Sequence, residues 1–275
     1  MAKVKVSITR SEDPERSILR GIKLIGGIDD LDRPGYQVII KPGIFDPSRP
    51  PYTEVKIAEA TATLFHKTKD ISFAESDNHL RTGIEALKTV GYDRIIRTGL
   101  VNLSSNLTQH KRTRLTLLKQ QTFSKILLNT DVLVNLATMK TEKKVGRISI
   151  GVNNLFGLIP DRMKSRFHPD LDDVLLELLK IIKPSLTIVD ATKVYLGSYP
   201  SYKSVDAGLI IAGRDVIAVD AVCCKILGIN PSSVRYLSLA AGARKGTMDL
   251  NEIDVLGLKL TEARELFLSG EKKPN

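Results

Sequence analysis

The chain has 275 residues, 42% hydrophobic and 26% charged, which suffices for the core of one large α/β domain or two small ones and excludes a wholly disordered chain. Its net charge is +10, with 5% aromatic residues and no tryptophan, so stacking platforms for single-stranded nucleic acid are poorly supplied. No stretch approaches the ~20 apolar residues of a membrane span, and the opening MAKVKVSITR has no apolar signal core, so a soluble cytoplasmic protein is expected.

In chain order, Lys3 to Ile8 alternates like a strand. Asp13-Pro14-Glu15 reads as a cap, a first-turn proline and an acidic start for a helix to Leu24, stopped at Gly26-Gly27. Tyr36 to Ile40 is a short apolar strand that empties into the proline-rich run Lys41 to Tyr52. Thr53 is placed to cap a helix to Lys67. Asp70 to Ala74 is a strand, followed by Glu75-Ser76-Asp77-Asn78-His79 and a helix over Arg81 to Thr89 that ends before Gly91. Arg94 to Ile96 and Val101 to Leu103 are weaker strand candidates, and Asn106 to Lys119 reads as a basic hairpin excursion. Phe123 to Leu128 is a short helix.

The stretch Asp131 to His168 then concentrates polar residues behind a buried strand, Val132 to Leu136. It continues as a loop rich in lysine (Lys140, Lys143, Lys144), a Gly151-Val152-Asn153-Asn154 turn, a short apolar run and a second basic loop ending at His168. Pro169 to Ile182 is an amphipathic helix ended by Pro184. Leu186 to Val189 is a strand running into Asp190, Tyr195 to Tyr202 a loop, and Leu209 to Ala212 a strand. Ala218 to Leu227 and Ser232 to Ala241 are helices, and Glu252 to Leu256 an edge strand.

Short, unalternating apolar strands that alternate with helices predict an α/β fold: a mostly parallel sheet with helices on both faces and a small β-rich or irregular insertion. The expected organisation is a single α/β domain over residues 1–268, with the insertion at about 98–122 and a flexible tail over 269–275. Cys223 and Cys224 are adjacent in an apolar helical run and read as buried thiols. Without a Cys-x-x-Cys pair, no iron–sulfur cluster is expected.

From Arg94 to Arg166 there are fourteen Lys and Arg against three acidic residues, so the charge excess is local. It implies an anionic ligand or a solvated basic face. Four groups follow strands: Lys41; Glu75, Asp77 and His79; Lys140 to Lys144; and Asp190. Parallel strands would gather them at one carboxyl edge, where open α/β sheets bind ligands. Lysines there would hold a carboxylate or phosphate as point charges. Asp77 and His79, or His168, would move protons or hold a divalent metal. Asp77 and Asn78 read equally well as a turn or cap before Arg81. Dinucleotide, Walker A, Gly-x-Ser-x-Gly and His-Glu-x-x-His patterns are absent.

Several segments together resemble the uncharacterised archaeal and bacterial family called domain of unknown function 362. They are Lys41-Pro42, Met139-Lys140-Thr141, Asn154-Leu155-Phe156-Gly157-Leu158-Ile159-Pro160 with Lys164 and His168, Lys183-Pro184 through Asp190, and Leu209 to Asp215 through Asp220-Ala221. The resemblance runs from about Val38 to Gly257 and implies a site including Lys41, Lys140, Asn154, His168, Asp190, Asp215 and Asp220. It implies no known reaction. The chain departs from the family pattern at Gly43 (usually Asn), Glu142 (often His) and Asn153 (commonly Lys), and it lacks the cysteine-rich ferredoxin module that many members carry. Asp215 also reads as the cap of the following helix. Asp220, inside an apolar helix, needs a partner such as Lys41 or a metal.

The reading expected is an enzyme or enzyme-like protein that binds a small anionic metabolite through Lys41, Lys140, Lys144, Asn154, Asp190, Asp215 and Asp220, with Asp77, His79 and His168 as proton-moving or metal-holding groups. The other reading is a non-catalytic protein whose basic surface binds nucleic acid or an acidic partner.

Overall fold

The computed structural model describes residues 3–111, 114–142 and 148–272. β1 (Val4–Arg10) leads into α1 (Pro14–Leu24), where Asp13 accepts from the Arg16 N–H and caps the helix as its sequence indicates. β2 (Gln37–Pro42) is followed by α2 (Val55–Ala62), which is shorter than its sequence pattern and lacks the expected Thr53 cap. The Thr53 hydroxyl instead accepts from the Gly43 N–H and approaches the Leu136 carbonyl, tying the proline-rich loop to the sheet. β3 (Asp70–Glu75) precedes α3 (Gly83–Val90). α3 opens at a Thr82–Glu85 capping box and closes on Gly91 in the left-handed region.

β4 (Gly99–Asn102) carries the hairpin excursion, β5 (Leu107–Gln109) paired antiparallel with β6 (Thr122–Ser124), and then α4 (Lys125–Asn129). The segment Arg94 to Ile96 is no strand; a 3-10 turn spans Tyr92–Arg94. β7 (Val132–Thr141) runs five residues past the expected end, so Lys140 stands on a strand and not on a loop. β8 (Ile148–Ser149) pairs back onto it, followed by α5 (Gly151–Asn154) and 3-10 turns over Leu155–Leu158 and Lys164–Asp170. After α6 (Leu171–Ile181), β9 (Leu186–Ser198) and β10 (Ser201–Gly213) form a long antiparallel hairpin where a loop was expected at Tyr195 to Tyr202. α7 (Val216–Leu227), α8 (Arg235–Gly242), β11 (Ile253–Gly257) and α9 (Leu260–Glu271) complete the chain. α9 occupies the beginning of the expected tail, with Glu262 accepting from the Lys259 N–H at its start.

The main sheet has nine strands among the described residues, in the order β11-β1-β10-β9-β7-β2-β3-β4 with β8 beside β7. β2, β3, β4, β7 and β9 are mutually parallel. β10 is antiparallel to β9 and β1, and β8 to β7. The sheet is buried on both faces, which is why its strands read as unbroken apolar runs. Along β7, Val132, Val134 and Leu136 enter the core that includes α1, α2 and α3. Leu133, Ala137 and Met139 enter the other, shared with α6, α7 and α8. No helix among the described residues is long and apolar enough to cross a membrane.

Candidate functional site

Because β2, β3 and β7 are parallel neighbours, Lys41, Glu75 and Lys140 arrive together at their carboxyl ends. The short segment after β8 folds over them and encloses a cavity of about 350 Å³. Lys41 is buried at its floor. Its Nζ donates to Glu75 Oε2 at 3.0 Å, to the Pro42 carbonyl at 2.8 Å and to Asn154 Oδ1 at 3.1 Å. The Asn154 amide nitrogen donates to Asn135 Oδ1 at 2.8 Å, and Asn135 in turn donates to the Gly151 carbonyl at 2.9 Å. Burial pushes the Lys41 pKa down while Glu75 opposes the shift. The backbone of 155–158 lies against this lysine only because Gly157 has no side chain: a Cβ there would come within 2.7 Å of Nζ.

Among the described residues, five cationic side chains, Lys41, Arg81, Lys140, Arg162 and Lys164, line the cavity against two carboxylates, Glu75 and Glu142. Both carboxylates are engaged: Glu75 with Lys41 and the Ser76 N–H, and Glu142 with the Tyr202 hydroxyl at 2.9 Å and the Tyr199 N–H at 3.3 Å. Arg81 is buried and donates to the Ser76 and Ile44 carbonyls. Lys164 donates to the Asp77 carbonyl. Lys140 Nζ makes no hydrogen bond or ion pair among the described residues. Burial and then the Lys41 charge push its pKa down to about 8, with Glu142 opposing. Lys164 is likewise pushed down to about 8, by burial first, with Glu75 opposing and Arg81 and Lys41 adding to the shift. His79 and His168 stand exposed at the cavity wall, beside Phe45 and Phe156 respectively. Burial lowers the His168 pKa, against the pull of Glu142.

The structure therefore brings together Lys41, Lys140, Asn154, His79 and His168, and separates the other expected site residues from them. Asp77 lies behind the wall and supports the start of α3 beside its Thr82 cap: its Oδ1 accepts from the Gly83 N–H at 2.9 Å and from Asn102 at 3.0 Å. Asp190 is buried under α2, accepting from Thr192 and weakly from the Glu54 N–H. Asp215 caps α7 by accepting from the Ile217 and Ala218 N–H groups, and it also accepts from the Thr247 N–H. Asp220 is fully buried and is not paired with Lys41. Its two oxygens accept from the Gly151 and Val152 N–H groups at 2.7 and 2.9 Å, which holds α5, and with it Asn154, in place. Gly151 permits this approach, since a Cβ there would meet Asp220 Oδ1 at 2.7 Å. Lys144 lies outside the described residues. Among the described residues no group of three His, Cys, Asp or Glu side chains is placed to hold a metal ion.

Sequence reasoning did not anticipate Arg81, Arg162, Tyr199 and Tyr202 as cavity residues. The two tyrosines come from the β9–β10 hairpin, whose Gly197, Ser198 and Pro200 disguise it as a loop. Gly43, Glu142 and Asn153, where the chain departs from the family pattern, all line the cavity.

Two comparisons bear on identity. A thylakoid-associated protein of Synechocystis sp. is 27% identical over an alignment spanning 98% of this chain and 87% of that protein. Residues 38–225 match the sequence model of the family described as domain of unknown function (DUF362), a span from β2 through most of α7 that contains every cavity residue. On that match over more than half of its length, the chain belongs to the DUF362 family.

Proposed function

We propose that this protein is an enzyme or enzyme-like protein that binds a small anionic metabolite, a carboxylate or phosphate, in the cavity at the carboxyl edge of the sheet. The observation that carries the reading is the charge inventory: five cations face one small cavity, and both opposing carboxylates are already engaged. A cation left without a counter-ion in a partly desolvated pocket attracts an anion more strongly than the same charge in water. The cavity volume of about 350 Å³ falls in the range of small-molecule sites. Lys140, Arg162 and Lys164 would hold the anionic group. Lys41, locked by Glu75 and Asn154, would supply a fixed positive charge beneath it. His79 and His168 are the imidazoles at the cavity wall, placed to reach a bound ligand.

Thermal-shift measurements with inorganic phosphate, pyruvate and succinate, against equal ionic strength of chloride, test the reading. At least one of these anions should raise the melting temperature of the wild-type protein and lose that effect in Lys140→Met. A set of shifts indistinguishable from chloride would defeat it.

A further inference from the structure

We propose that Lys140 is a nucleophilic amine that forms a Schiff base with a small carbonyl compound carrying an acidic group. The inference rests on the anion-binding reading of the cavity and names the substrate class for it. Four observations support it. First, of the cavity lysines among the described residues, Lys140 is the one whose amine has no hydrogen-bond or ion-pair partner there: Lys41 is ion-paired with Glu75, and Lys164 is bound to the Asp77 carbonyl. Second, Lys140 stands on a strand held from both sides, its backbone in register with Ser149 of β8 and Tyr195 of β9. An amine on such a rigid element is presented in one place. Third, the register of β7 against β9 shifts between Thr138 and Lys140, an irregularity of the kind that re-aims a side chain. Fourth, Glu142, two residues along, lines the same cavity as Lys140 and His168 and accepts from the Tyr202 hydroxyl at 2.9 Å, so groups that can take up and supply protons share the cavity with the amine.

The chemistry balances without an outside oxidant or reductant. The neutral Nζ attacks the carbonyl carbon, the C=O π bond breaks, and a proton passes from nitrogen to the oxygen to give a carbinolamine. A second proton delivered to that hydroxyl, from His168 at the cavity wall, lets it leave as water. The C=N bond forms as the protonated imine. Burial and the Lys41 charge favour the neutral amine that this requires. Arg162 and Lys164 would keep hold of the carboxylate or phosphate of the substrate while its carbonyl meets the Lys140 Nζ, which adds to anion binding only in its protonated form.

The test is reductive trapping of the wild-type protein by cyanoborohydride with pyruvate or with acetaldehyde, in the presence and absence of inorganic phosphate, mapped by peptide mass spectrometry. Exposed Lys23 serves as internal reference, cancelling the intrinsic reactivity of each reagent. A lower pKa raises the neutral fraction more than it lowers nucleophilicity, so pyruvate labelling of Lys140 should exceed that of Lys23 by roughly tenfold or more. Phosphate should suppress the Lys140 label alone. Lys140 labelled no more than Lys23 by either carbonyl overturns the proposal. If phosphate still raises the melting temperature in that case, the anion cavity stands and only the Schiff base falls. Preferential Lys140 labelling by both reagents without phosphate protection leaves a reactive amine but overturns the acid-bearing substrate class proposed for it, together with the anion-binding reading. The Lys140→Arg variant, which keeps the charge, should retain the phosphate-induced stabilisation.

Discussion

Lys41→Met is expected to be among the most damaging single changes in the cavity, and Glu75→Gln should partly repair it. The Lys41–Glu75 pair is buried, with side chains 3% and 2% exposed and 3.0 Å between charged atoms. Breaking a buried pair on one side leaves the other charge stranded, which costs about 3–5 kcal/mol. For a chain of this size that corresponds to a fall in melting temperature of roughly 6–20 °C. Removing both charges leaves only the Pro42 carbonyl and Asn154 Oδ1 without their donor. The double variant should therefore recover at least about 2 kcal/mol relative to Lys41→Met. Urea unfolding of wild type, both single variants and the double variant gives the full cycle. If Lys41→Met costs under ~1 kcal/mol, or if the double variant is no more stable than Lys41→Met, Lys41 is not the locked charge at the cavity floor described above.

Three further outcomes follow from the placement of the aspartates and Gly157. Asp215→Ala removes a cap that serves three N–H groups and should cost about 1–2 kcal/mol in urea unfolding, with no change in anion-induced stabilisation, because Asp215 lies outside the cavity. Asp220 is pushed up to about 7 by burial, against the lowering effect of its two N–H donors. Its folded pKa exceeds the unfolded one, so the native state binds the extra proton. The stability it contributes is fully present below about pH 4 and is lost as pH rises through about 7. Asp220→Asn should flatten this part of the stability profile measured between pH 5 and 8; an unchanged slope would count against the assignment. Gly157→Ala forces the 155–158 turn and the Lys41 amine apart, by a shift of one or the other, and should weaken anion binding while leaving the far-ultraviolet circular dichroism unchanged. Wild-type binding after that substitution would show that the turn does not shape the cavity.

How much of this was legible in the sequence differs from residue to residue. The parallel strands could be read because both faces are buried: Val38, Ile39 and Ile40 are all fully interior, though they serve two different cores. Lys41 could be read because a charged residue at the end of such a run has few places to go. The extension of β7 through Lys140 could not, since its final pairing is with residues far along the chain, Ser149 and Tyr195. Asp220 is the clearest limit. A carboxylate amid Val219 and Ala221 announces that it has a partner, but the partners are the N–H groups of Gly151 and Val152, which have no letter of their own. Asp77, set in a polar loop, gives the same letters for a cap as for a general base, and only the Gly83 N–H on its oxygen separates the two. α9 carries a usable signal in Ala263 and Phe267 at helical spacing behind an acidic first turn, set against a charged, polar end of the chain that reads as a tail.

The central claim is that the cavity beside Lys140 binds an anion. Isothermal titration of inorganic phosphate and of pyruvate into wild-type protein and Lys140→Met at low salt measures this directly. The account predicts saturable binding of at least one of them at a single site, weakened about tenfold or more in the variant, as expected for loss of a charge-assisted contact. Absence of saturable binding, or equal affinity in the two proteins, would contradict it.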